Sequence, residues 1–100
     1  MDPNAKIKDF SQRIHKDFPD ARIILFGSRA RGDALVYSDY DVMIISEAFK
    51  EIGWIKRIET LVHYWVFDDD ILPYTPSECI EKQKTSSTIR GALKQKTIEV

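Results

Sequence analysis

Two aspartates separated by one residue, Asp39 and Asp41, lead into the apolar run Val42-Met43-Ile44-Ile45. In a strand, side chains at 39, 41, 43 and 45 share a face, so both carboxylates project together from one strand end. Two carboxylates about 4 Å apart repel by roughly 4 kcal/mol at an effective dielectric of about 20. A cation between them removes that cost. Upstream, the run Ile23-Ile24-Leu25-Phe26 stops at Gly27-Ser28, and Arg29 and Arg31 follow. Gly27 allows an unusual backbone angle or the close approach of a ligand. Turn amides and the Ser28 hydroxyl form the kind of concavity that holds anions. The two arginines add charge-assisted bonds to phosphate. Carboxylates for a divalent ion and a turn for phosphates are together what a metal-bound triphosphate requires.

The elements that position these residues follow from patterning. Residues 3 to 18 predict an amphipathic helix with Ile7, Phe10, Ile14 and Phe18 on one stripe. Asp2 stands at its N-cap, Pro3 at its first position, and Pro19 ends it. His15 lies beside the stripe and reads as a boundary residue. Residues 21 to 26 predict a strand buried on both faces, hence central in its sheet. Ser28 to about Ala34 reads as a short helix whose N-terminal amides face an anion. Residues 40 to 46 predict the second strand. A second amphipathic helix is expected from about Phe49 to Tyr64, with Ile52, Ile55, Ile58, Leu61, Val62 and Trp65 as its apolar stripe. His63 suits its C-terminal dipole.

Residues 66 to 74, VFDDDILPY, are extended. Pro73 confines this strand to a sheet edge or a strand end. Thr75-Pro76-Ser77-Glu78 is a capping box opening a third helix that runs to about Thr85. After a break at 86–88, Ile89 to Lys94 form a fourth helix, and Thr97 to Val100 a closing strand. The expected fold is α+β, close to α/β, in one domain spanning 1–100: a small mixed sheet flanked by helices.

Composition narrows the setting. One hundred residues support one modest core. A net charge of −1 argues against a nucleic-acid-coating or membrane-surface protein, and near-neutrality favours association with a partner or a second copy. A basic stripe is missing, since Lys82, Lys84, Lys94 and Lys96 read as a solvated helix face, so RNA is disfavoured as an acceptor. The only cysteine, Cys79, has no internal partner, and no apolar segment reaches spanning length. A cytoplasmic location is the expectation.

Gly27-Ser28-Arg29-Ala30-Arg31-Gly32, then Ser38-Asp39-Tyr40-Asp41 and an apolar strand, resembles the signature of the DNA polymerase beta-like nucleotidyltransferase superfamily. The details are similar to the minimal nucleotidyltransferases, stand-alone domains of about this length. Tyr40 is bulkier than the small aliphatic residue often found between the aspartates. The resemblance implies a nucleotidyltransferase fold, ATP as substrate and Mg²⁺ as cofactor. It assigns Gly27 and Ser28, with Arg29 and Arg31 nearby, to the triphosphate, and Asp39 and Asp41 to the metal. It also implies a third carboxylate on a later strand, which Asp70 matches best and Asp68 second best. Relatives of this type pair with HEPN-domain proteins and act as antitoxins by moving AMP to a tyrosine of the toxin. The alternatives are a partner-binding subunit that works without catalysis, and transfer to a small molecule or an RNA end.

Overall fold

The structure, a computed structural model, describes residues 4–27, 41–64, 70–94 and 97–100. Asp2, Pro3, the expected helix after Ser28, Trp65 and Lys96 lie outside the described residues. Helix α1 runs Asn4–Asp17, strand β1 Arg22–Phe26 and strand β2 Asp41–Ile45. A 3₁₀ turn at Glu47–Phe49 precedes helix α2, Trp54–Leu61. Strand β3, Asp70–Tyr74, is followed by helices α3, Pro76–Thr85, and α4, Ser87–Lys94, and by strand β4, Ile98–Glu99. The fold is α+β.

The four strands form one mixed sheet in the order β3-β2-β1-β4. β1 pairs antiparallel with β2 and with β4, whereas β2 pairs parallel with β3. The continuous apolar runs of β1 and β2 take the two interior positions, as burial on both faces requires. Alternation then sorts their side chains between two layers. Ile23, Leu25, Val42 and Ile44 pack against Ile7, Phe10 and Ile14 of α1, with Phe49 and Leu61. Ile24, Met43 and Ile45 pack on the other face against Tyr74, Cys79 and Ile89.

Two small contacts orient α1 and the turn after β2. The His15 Nε2–H donates to the Ala21 carbonyl at 2.8 Å, and its Nδ1 lies 3.3 Å from the Ser11 hydroxyl, which donates to it. His15 is thus the boundary residue its position implies, at the opposite end of β1 from Gly27. Asp20 accepts from the Ser46 hydroxyl and the Glu47 amide, and these bonds, the amide's first, hold its carboxyl below the ordinary range.

The single helix expected from Phe49 to Tyr64 is two elements. The Ser46 hydroxyl caps the 3₁₀ turn by accepting from the Ala48 amide, and α2 begins afresh after Gly53. The expected stripe also shifts. Ile55 and Val62 are exposed, 74% and 54%, and the fully buried positions are Arg57 and Leu61. The cause is a set of acceptors waiting for a guanidinium. Arg57 Nε donates to the Ile52 carbonyl at 2.7 Å. Nη1 donates to the Pro73 carbonyl at 3.1 Å and to Glu78 at 2.5 Å. Nη2 donates to the Phe49 carbonyl at 2.7 Å and to Glu78 at 3.2 Å. All five guanidinium N–H groups are used.

β3 is an edge strand, as Pro73 demands. Tyr74 turns its carbonyl toward β2, accepting from the Ser46 amide, so Ile71 and Pro73 turn theirs outward. Proline has no N–H to offer there, and Arg57 takes its carbonyl, which blunts the edge against a further strand. The capping box is present: Thr75 accepts from the Glu78 amide, and Glu78 accepts from the Thr75 amide. Ser86 starts α4 by accepting from the Ile89 amide, so this helix begins at Ser87 rather than at Ile89.

Removing the guanidinium strands Glu78 and three carbonyls. Because Glu78 is half exposed, Arg57→Ala is expected to cost about 3 kcal/mol, the low end for breaking a buried pair; urea unfolding checks it. The Arg57 hydrogen bond, first among several causes, holds the Glu78 carboxyl below its ordinary pKa. A depressed folded-state pKa contributes stability above the unfolded value and loses it as pH falls through the folded one. Stability is therefore expected to decline as pH drops below about 4.5, and Glu78→Gln to flatten that decline in unfolding curves recorded across the acid range.

Candidate active site

The end of β1 and the start of β2 are ladder partners: Phe26 lies opposite Asp41. The chain leaves β1 through Gly27, which adopts φ 72°, a left-handed angle that L side chains rarely take. A Cβ on Gly27 would stand 2.3 Å from Asp41 Oδ2 and 3.2 Å from its carboxyl carbon. The glycine is thus required twice, once for the turn and once for the space the aspartate fills. Asp41 shares the alternation of Met43 and Ile45, so it emerges on the α3/α4 face, half-buried at the strand's first position.

On the other side of β2, the parallel ladder places Asp70 opposite Asp41. Neighbouring strands lie about 4.8 Å apart, so β3 carries its first residue to the strand position beside the aspartate. Three features meet at one end of the sheet: a glycine turn, the start of β2, and the start of β3. They are distant in sequence, and the strand order β3-β2-β1 is what collects them.

Of the residues singled out in the sequence, the structure thus brings together Gly27, Asp41 and the backbone of Asp70. Ser28, Arg29, Arg31, Asp39 and Asp68 lie outside the described residues. Among the described residues no group of three or more His, Cys, Asp or Glu side chains is placed to hold a metal. What the described part supplies is one carboxylate fitted against a glycine turn, with a second acidic position in register beside it. Oxygen donors of this kind suit a hard divalent cation. The residue pattern places the Gly-Ser turn and the aspartates at neighbouring strand ends, as the structure has Gly27 and Asp41, but the direct fit of one against the other is not legible there. The only available signal was a glycine closing one apolar run and an aspartate opening the next.

A small mixed sheet flanked by helices, with an acidic strand start set beside a glycine turn, makes this an α+β domain. Residues 6–98 match the nucleotidyltransferase domain family, and the chain belongs to that family. Its members transfer nucleotidyl groups from nucleoside triphosphates, generally with a divalent metal. A candidate nucleotidyltransferase from Sulfolobus solfataricus is similar in structure, with a TM-score of 0.65 and 26% identity over 77% of this chain and 70% of that one. A second candidate nucleotidyltransferase, at 24% identity, shares the fold with a TM-score of 0.61 over 94% of this chain and 96% of its own. No match to a curated protein reaches significance. Among the described residues no helix is long and apolar enough to cross a membrane.

Gly27→Ala is expected to cost about 1–2 kcal/mol for the left-handed angle alone. Urea unfolding of the variant checks it.

Proposed function

We propose that the protein is a Mg²⁺-dependent nucleotidyltransferase that moves AMP from ATP to a hydroxyl acceptor, a tyrosine of a HEPN-domain partner, and so acts as an antitoxin. The observation that carries the catalytic reading is the fit of Asp41 against Gly27, with Asp70 in register beside it.

In this reading Asp39 and Asp41 hold the metal, and Asp70 completes the set. Gly27 and Ser28 cradle the terminal phosphates through amides and hydroxyl, aided by Arg29 and Arg31. When bound, Mg²⁺ neutralises the triphosphate and aligns it for attack. The acceptor oxygen bonds to the α-phosphorus, the bond from that phosphorus to the bridging oxygen breaks, and pyrophosphate leaves. Asp70 takes the proton from the attacking hydroxyl. ATP and the tyrosine acceptor rest on the resemblance to minimal nucleotidyltransferases, as does the HEPN partner.

A second reading, a subunit that neutralises its partner by contact alone, draws on the exposed apolar residues Trp54, Ile55, Val62 and Ile80. The two readings separate in one experiment. The protein is incubated with labelled ATP, Mg²⁺ and the product of the neighbouring gene, and the intact masses of both proteins are recorded. Catalysis predicts a gain of one AMP on the partner. Asp41→Asn or Asp39→Asn should slow transfer by about 10³-fold or more, the loss of several kcal/mol of charge stabilisation. A tight complex with no mass change under any of the four nucleotides would leave the contact reading standing.

A further inference from the structure

The far end of β3 carries a second feature, unconnected with the phosphate turn. Tyr74 lies four residues beyond Asp70, about 13 Å along the strand. There α2, β3 and α3 enclose a groove of about 220 Å³ lined by Trp54, Tyr74, Glu78 and Lys82. This is below the roughly 300–1,000 Å³ of drug-sized sites, and suits one flat ring system.

Its walls are chemically specific. The Trp54 and Tyr74 rings lie 5.5 Å apart, inclined at 42°. Trp54 is 44% exposed, an unusual position for the largest apolar side chain. Tyr74 is only 6% exposed, yet among the described residues no hydrogen bond reaches its hydroxyl. Tyr74 lines the groove, so its hydroxyl stays available as a donor to whatever enters it. Lys82 stands one helical turn from Glu78 and makes no ion pair among the described residues. Glu78 is not a free anion, because Arg57 and the Thr75 amide occupy its oxygens. Arg57, Glu78 and Lys82 together leave one positive charge, with Lys82 and the Tyr74 hydroxyl as the unused donors.

We propose that this groove binds a small aromatic anion: a flat ring against Trp54 and Tyr74, with one carboxylate received by the Lys82 ammonium and the Tyr74 hydroxyl. The site is independent of the nucleotide reading, and its success or failure leaves that reading untouched.

Calorimetric titration of the full chain with benzoate and indole-3-carboxylate tests it, with benzyl alcohol and indole as neutral counterparts. The carboxylates are expected to bind with Kd in the ~0.1–1 mM range, about tenfold tighter than the neutral rings. Lys82→Met should erase that difference. Tyr74→Phe should weaken the carboxylates about threefold while leaving the urea midpoint unchanged or raised, since the hydroxyl has no partner to lose. Asp41→Asn should bind them as the parent does. Equal affinity for charged and neutral rings would overturn the proposal, as would silence up to about 10 mM. Carboxylate binding that survives Lys82→Met, or that disappears in Asp41→Asn, would overturn it equally.

Discussion

The antiparallel pairing of β1 with β2 is the constraint on which the rest of this molecule depends. It sets Phe26 opposite Asp41, and so makes the residue after Phe26 a neighbour of that carboxylate. Only glycine fits, because any Cβ there would overlap Oδ2. The same pairing sorts the two apolar runs between the two layers. Ile23, Leu25, Val42 and Ile44 go to the α1 side, and Ile24, Met43 and Ile45 to the α3 side. A slip of one residue would invert both layers and carry Asp41 away from the turn. Core packing and site geometry are therefore specified by one register, and the buried side chains that hold the register also hold the carboxylate in place.

The edge of the sheet depends on a different device. β3 must stay parallel to β2 for Asp70 to lie opposite Asp41, yet among the described residues it has a neighbour on one side only. Pro73 gives up a donor there, and Arg57 receives the carbonyl left over. The same guanidinium holds Glu78, which also closes the capping box of α3. One buried cation thus ties the turn after β2, the edge strand and the start of α3 together. Such a charge is tolerable because every one of its donors is satisfied.

Much of this was legible in the chain because it is written in local patterns. Unbroken apolar runs marked the interior strands, Pro73 marked an edge, and Thr75 to Glu78 marked a helix start through a capping box that the structure contains. Gly27 and Asp41 could be picked out as chemistry-bearing. Where the reading failed, the local pattern was ambiguous. The apolar residues from Phe49 to Val62 fit one helical stripe, but Gly53 starts a new helix and the buried position goes to Arg57 instead of Ile55. Hydrophobic periodicity treats an arginine as a surface residue, and acceptors from three separate segments, the turn after β2, β3 and α3, are needed to make it a core one.

The sequence by itself determined the inventory: two strands rich enough in branched apolar residues to be buried on both faces, the breaks between elements, and the residue types at the glycine turn and the strand starts. These follow from side-chain volume, backbone freedom and alternation, which act over a few residues. Only the tertiary structure decided that Asp41 fills the space beside Gly27, and that Asp70 lies opposite it. Only there, too, does Glu78 serve a cap and a buried cation at once, and Tyr74 meet Trp54 at the far end of the same strand. Each of these joins segments 14 or more residues apart. Contacts at such range are set by strand order and register, and those are properties of the assembled sheet rather than of any segment within it.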